Sequence, residues 1–270
     1  AAASQSNNTV TIHLIVKAPM GSGTSGDPYL IASLANLSWL SQNSSKWDKY
    51  YKQTANIDAS ATQYWDDDDD DSDGNKYNDT NDGTSTGDND GFSPIGNSTT
   101  KFTGTYDGDG YTIDGLTVNR SNTDYIGLFG LTEGSTTQNL GVTGVDIVGG
   151  DIVGGGYVGG LAGHLDESTM NNCYSTGSVT GSGYYVGGLV GAHSSAIMNN
   201  CYSTGSVTGN NGYIGGLVGA NSGTNSSVNN CYSTGSVTGS GDFIGGLVGY
   251  NGSTISNSFW DTQTSNQSSS

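Results

Sequence analysis

Positive charge is nearly missing from this sequence. Lysine and arginine together number seven, Arg120 is the only arginine, and 25 acidic residues bring the formal net charge to −18. Nucleic acids and anionic membrane surfaces are held by clusters of Lys and Arg, so neither is an expected partner. No apolar run approaches the ~18–20 residues of a membrane-crossing helix, and no membrane span is expected. Cysteine and proline each occur three times. An odd cysteine count leaves one thiol outside any intramolecular pairing, and no CxxC or Cys/His spacing suggests a metal centre. Hydrophobic residues reach only 32%, low for an ordinary globular core.

Glycine is what the chain has in quantity, at 45 residues. With abundant Ser, Thr and Asn, it disfavours helices and suits many short strands and turns. The stretch Asn-Asn-Cys-Tyr-Ser-Thr-Gly-Ser-Val-Thr-Gly begins at Asn171, Asn199 and Asn229, at intervals of 28 and 30 residues. Each copy is followed by an aromatic residue and then Gly-Gly-Leu-Val-Gly. Degenerate copies stand upstream at Tyr157 to Gly163 and Tyr125 to Gly130. A fixed period of this length marks stacked repeats, because one unit cannot bury its apolar face alone. The separation from Cys173 to Gly191, Cys201 to Gly219 and Cys231 to Gly249 is always 18 residues. The two extra residues of the longer period therefore fall after Gly219, at a corner that tolerates insertion. The contour of 28 residues suffices for a two- or three-sided coil, and about six turns fit between Phe92 and Trp260 on that period.

Within a repeat, period-two alternation sends Cys173, Ser175, Gly177 and Val179 one way. Being small, this set is expected to face inward, with Val186, Leu189 and Val190 on the next strand. Tyr174, Thr176, Ser178 and Thr180 then face outward. Stacking makes columns of Tyr174, Tyr202, Tyr232 and of Thr176, Thr204, Thr234, spaced about 4.8 Å apart. The three equivalent cysteines read as a column of small buried thiols.

The Tyr-Val-Gly-Gly-Leu-Val-Gly box preceded by Asn-Cys-Tyr-Ser-Thr-Gly-Ser-Val resembles the GLUG-motif repeats of bacterial secreted and cell-surface, adhesin-like proteins. Gly26-Asp-Pro-Tyr-Leu-Ile31, Phe92-Ser-Pro-Ile-Gly96 and Phe102 to Leu116 extend the likeness, which covers about Gly21 to Asp261. The resemblance implies a secreted or surface-displayed β-solenoid with no defined catalytic residues. The fold expected is all-β, a right-handed parallel β-solenoid (β-helix) with a short N-terminal strand and helix cap.

Segments outside the repeat divide the chain further. Residues 1–20 hold its most β-prone stretch, with Val10, Ile12, Leu14 and Val16 on one face. That stretch either caps its own solenoid or is donated to the edge of a neighbouring copy. A Gly/Ser tether follows it, from Gly21 to Gly26. Residues 21–63 are expected to supply the first turn and a capping helix over Pro28 to Gln42, where Leu30, Leu34, Leu37 and Leu40 have helical spacing. Residues 64–91 form an acidic insertion, with 11 of the 25 carboxylates between Asp66 and Gly91. Asp69-Asp-Asp71-Ser-Asp73-Gly74 has the opening of a calcium loop, alternate oxygens converging before a glycine turn. Thr80 stands where a bidentate acid belongs, with Asp79 and Asp82 nearby, so a self-repelling surface loop is the competing reading. Residues 92–263 carry the solenoid, and residues 264–270 a polar tail.

An active site is not expected. Between Gly141 and Trp260 there is no Lys or Arg, and the acids are only Asp146, Asp151, Asp166, Glu167 and Asp242. Hydrolysis of a glycan wants two carboxylates fixed across a cleft. His164, Asp166 and Glu167 share one loop as a nominal cluster, while His193 takes the place of Asn221 and Asn251. The function expected is a structural subunit of an extracellular filament or adhesin, assembling with copies of itself by strand donation or end-to-end stacking. The alternative is a module whose Tyr/Thr/Ser columns bind glycan, and the same columns could carry O-linked sugars. Nine Asn-X-Ser/Thr sequons, among them Asn36, Asn97 and Asn251, are compatible with secretion.

Overall fold

The alternating strand segments stack in parallel register, each copy lying directly on the one before it. The computed structural model describes residues 16–66, 79–80, 90–150 and 155–269. One complete circuit runs Ile197–Asn199, Tyr202–Ser203 with Ser206–Gly209, Tyr213–Gly215, Val218–Ser222, and returns to Ser227–Asn229. These segments belong to four different parallel sheets, here faces one to four in that order. The coil is thus four-sided rather than two- or three-sided. The difference arises at Gly-Gly-Leu, where the second strand of the repeat is cut in two by a sharp corner.

Face one stacks eight strands from Tyr29–Ile31 to Thr254–Ser256, and six of them lie between Phe92 and Trp260. Face two starts at Ile57–Asp58 and ends at Phe259–Trp260. Face three runs from Tyr125–Ile126 to Phe243–Gly245, and face four from Phe129–Glu133 to Val248–Asn251. Like residues pair with like across the turns: Tyr174 with Tyr202 and Tyr232, Val186 with Ile214 and Ile244, Met170 with Met198.

Of the inward set, Cys173, Ser175 and Val179 are buried, while Gly177 is half-buried at φ 118°, where the register shifts. Val186, Leu189 and Val190 are fully covered, as are Cys173, Cys201 and Cys231. The cysteines are free thiols; Cys173 N–H donates to Cys201 Sγ (3.5 Å) and Cys201 N–H to Cys231 Sγ (3.4 Å). Each buried aliphatic contributes on the order of 1.5–3 kcal/mol, and the sum over the column compensates for a composition poor in large side chains.

Two corners need special residues. At Gly187 a Cβ would stand 2.0 Å from the Val190 carbonyl oxygen, and at Gly188 2.3 Å from Ser203 Oγ. Between faces one and two, Asn139, Asn172, Asn200, Asn230 and Asn257 all have φ between 46° and 55°. Asn tolerates this left-handed region better than other side chains with a Cβ.

The first turn closes the stack. Between the face-one strands Tyr29–Ile31 and Tyr50–Gln53 the chain forms the helix Leu34–Gln42 instead of strands, burying Leu34, Leu37 and Leu40. The helix is shorter than expected from Leu spacing, because Tyr29–Ile31 pairs with Tyr51–Gln53 and Ser33 caps the helix through Asn36 N–H (3.4 Å). The Gly21 to Gly26 segment is not a loose tether. The N–H groups of Ser22, Gly23 and Thr24 all bond to the Asp27 carbonyl, and Tyr50 N–H bonds to Gly23.

Candidate functional site

Backbone stacking brings the outward tyrosines of face two into a column. Ring centroids of Tyr174 and Tyr202 are 4.7 Å apart with planes at 3°; Tyr202 and Tyr232 are 4.8 Å apart at 5°. Phe259 extends the column at 5.4 Å. Burial raises the Tyr202 phenol above its ordinary pKa. Coplanar stacking at this distance has a chemical consequence. The ring faces are spent on one another, and ring edges and hydroxyls remain toward solvent. A sugar ring packs on an aromatic face, so along the column only hydrogen bonding is left for recognising a glycan. Thr176, Thr204 and Thr234 follow each Tyr-Ser pair; Thr176 Oγ1 accepts from Gly144 N–H at 3.0 Å, and Thr204 is exposed.

A second aromatic column, beyond the one that strand alternation predicts, stands on face three. Tyr125, Tyr157, Tyr185, Tyr213 and Phe243 follow each other at 4.9, 4.6, 5.5 and 5.4 Å. Its signal was the aromatic residue that precedes Val/Ile-Gly in every copy. Two files of asparagines lie beyond the predicted columns as well. Asn172 Nδ2 donates to Asn139 Oδ1 (2.9 Å), Asn200 to Asn172 (3.1 Å) and Asn230 to Asn200 (3.3 Å). Their neighbours Asn171, Asn199 and Asn229 form a parallel file at 2.8 and 3.1 Å.

His164 and Asp166 share the strand Ala162–Asp166, and Glu167 follows it. His164 stacks on Tyr157 at 4.9 Å and 4°, and its Nε2 lies 2.9 Å from Ser194 Oγ. Burial lowers its pKa. Glu167 occupies a left-handed turn position at φ 47°. His164 is therefore a member of the aromatic column. His193 pairs with Asn221, which pairs with Asn251; its Nδ1 is 2.9 Å from Asn221 Oδ1 and 2.8 Å from Ser226 Oγ.

Of the calcium-loop candidates, Asp69, Asp71, Asp73 and Asp82 lie outside the described residues. Asp79 begins the strand Asp79–Thr80, antiparallel to Trp65–Asp66. The insertion leaves and re-enters at one point, since Gly91 N–H bonds to the Trp65 carbonyl at 2.9 Å. Arg120, buried, donates to the carbonyls of Phe92 (3.2 Å) and Gly91 (3.3 Å) and fixes that re-entry. Among the described residues no group of three or more His, Cys, Asp or Glu is placed to hold a metal ion.

Of the assembly strand, Val10, Ile12 and Leu14 lie outside the described residues, and Val16 is half-buried. The following residue is fastened to the cap: Lys17 N–H bonds to Ala35 O, and Asn36 Nδ2 to Lys17 O at 2.9 Å. At the opposite end, Phe243–Gly245 and Thr254–Ser256 are the last strands of faces three and one. Phe243, Tyr250 and Phe259 are exposed there. The segment expected as a tail docks on this last turn. Asp261 caps the helical turn Thr262–Ser265, Ser265 is buried, Trp260 Nε1 donates to Gln267 O (3.1 Å), and Gln267 Nε2 donates to Val237 O (2.9 Å). No helix of the described residues is long and apolar enough to cross a membrane.

The GLUG motif matches residues 154–180, 182–208 and 210–238, one copy per circuit. Halomucin of Haloquadratum walsbyi is 36% identical over 173 residues, which is 60% of this chain and 2% of that protein. A protein of Evansella cellulosilytica, provisionally named a Gly-rich membrane protein, is 44% identical over 55 residues, 20% of this chain and 6% of its own. The chain thus spans a small fraction of either relative. A crystal structure from Bacteroides ovatus, of a protein provisionally named an immunoglobulin A1 protease, superposes with a TM-score of 0.63. It covers 88% of this chain and 67% of that one at 22% identity. This likeness shows the solenoid fold and nothing of the chemistry.

Proposed function

We propose that this GLUG-repeat chain is a non-enzymatic structural module, secreted or displayed at a cell surface, that assembles with copies of itself. The observation that carries this reading is the contrast between the two ends of the stack. A helix closes the first turn, whereas the last turn presents strand edges of faces one and three beside exposed Phe243, Tyr250 and Phe259. Columns such as Tyr174–Tyr202–Tyr232 and Val186–Ile214–Ile244 are continued by a like residue from the next turn, so a strand of similar pattern would complement the last turn. Unpaired strand edges are ready templates for such addition. The alternating segment Thr9 to Lys17, provided by a neighbour, has that pattern. Glycan binding through the Tyr and Thr columns is the weaker reading, because the ring faces are already occupied.

Electron microscopy of the native material, alongside protein lacking residues 1–18, tests this. Filaments in the first preparation and their loss in the second are expected. Monomers in both at high concentration would discard self-assembly.

A further inference from the structure

The fold sorts the Asn-X-Ser/Thr sequons among the described residues. Asn119 is half-buried on the strand Thr117–Arg120, its N–H bonded to the Asp90 carbonyl. Asn36 is 6% exposed with its Nδ2 bonded to Lys17 O, and half-buried Asn43 donates Nδ2 to Trp39 O at 2.7 Å. Neither amide nitrogen is free to carry a substituent. Asn97, Asn225 and Asn251 are exposed. Asn97 commits Oδ1 to the N–H groups of Thr99 and Thr100, both at 2.9 Å, which leaves its Nδ2 edge outward. Asn225 sits at φ 61° in the turn holding the two extra residues of the longer repeat. Asn251 Oδ1 accepts from Asn221 Nδ2 (2.8 Å), and its Nδ2 donates only within its own exposed turn, to Ser253 O (3.1 Å).

Asn97 and Asn225 share one side of the coil. Asn225 follows the face-four strand Val218–Ser222 and precedes the face-one strand Ser227–Asn229. Asn97 stands in the loop between the bridges Ile95–Phe129 and Phe102–Thr132, beside the first strand of face four. Asn251 instead ends the last face-four strand, Val248–Asn251, in the column of buried His193 and Asn221 and beside exposed Tyr250, where a sugar would obstruct the assembly end. We infer that the face-four side is a glycan-bearing edge, N-glycosylated at Asn97 and Asn225. Asn Nδ2 forms a bond to C1 of a sugar carried on a lipid-linked diphosphate. The C1–O bond breaks, the diphosphate departs with the electron pair, and Nδ2 releases one proton. Nothing is oxidised or reduced. Bulk is tolerated at this edge, since the chain itself inserts residues at both positions. An exposed acceptor loop is what N-glycosylation of a secreted protein requires. Asn266 is exposed too, but on the segment that closes the last turn.

The inference rests on the extracellular reading above. Glycopeptide mass spectrometry of the native protein recovered outside the cell tests it. Occupancy at Asn97 and Asn225, with Asn36, Asn43 and Asn251 bare, is expected. The mass increment should vanish in the variant carrying Asn97→Gln and Asn225→Gln. Any other occupancy pattern on extracellular material overturns the inference alone. Recovery of the protein only from inside cells would instead overturn the extracellular reading.

Discussion

His193 shows how a single side chain is accommodated in a repeating core. Its column reads Thr132, Leu165, His193, Asn221, Asn251 down the stack. In its own turn Ala196 replaces the serine found at that corner as Ser135, Ser168, Ser226 and Ser253, so the larger ring has room. The imidazole is fully buried with no counter-charge, and burial lowers its pKa from 6.5 to about 4. The fold therefore favours the neutral ring over the protonated one. That contribution is complete above about pH 6.5 and is lost as the pH falls toward 4, up to about 3 kcal/mol. His193→Asn continues the Asn column and is expected to flatten this part of the pH dependence. Urea midpoints of both proteins between pH 4 and 7 check it; parallel slopes would reject the assignment. The place of His193 among asparagines was legible in the sequence, but its isolation from charge was not. That depends on which residues the next turns lay against it.

At the scale of elements, corners rather than strands decide the architecture. Alternation in Cys173 to Thr180 correctly separates the buried from the outward side chains, because a strand's period is a local property of the backbone. The Gly-Gly pair recurs in every full copy of the repeat, and its corner splits one expected strand between faces three and four. Gly187→Ala would place a Cβ 2.0 Å from Val190 O, and a loss of about 2–3 kcal/mol is expected. Gly26→Ala meets nothing within 4 Å, so it should stay within about 0.5 kcal/mol of the parent. Chemical denaturation of the pair measures the difference; equal stability would show that the corner yields to a methyl group. Leucine spacing over Pro28 to Gln42 overstated the cap helix because Leu30, at helical distance from Leu34, sits on a strand edge held by Met20 and Lys52.

For the whole molecule, the question is how a stack of open turns is ended. The N-terminal end is closed by a helix over apolar columns, the usual device for keeping a solenoid soluble. The C-terminal end is closed in part by Trp260 and the segment to residue 269. Removing residues 261–270 takes away the Gln267 partners of Trp260 Nε1 and the Val237 carbonyl. A lower melting temperature, by roughly 2–4 °C per kcal/mol lost, and greater self-association in size-exclusion chromatography are expected. An unchanged profile would deny the segment its capping role. The sequence by itself determined that copies stack in parallel, which residues face inward and where insertions fall, since a strict period encodes the contact between one turn and the next. Only the tertiary structure decided that the coil has four faces, that the tyrosine rings spend their faces on each other, and that the two ends differ. Those features arise from contacts between segments far apart in the chain, at corners and termini where the repeat no longer constrains its neighbours.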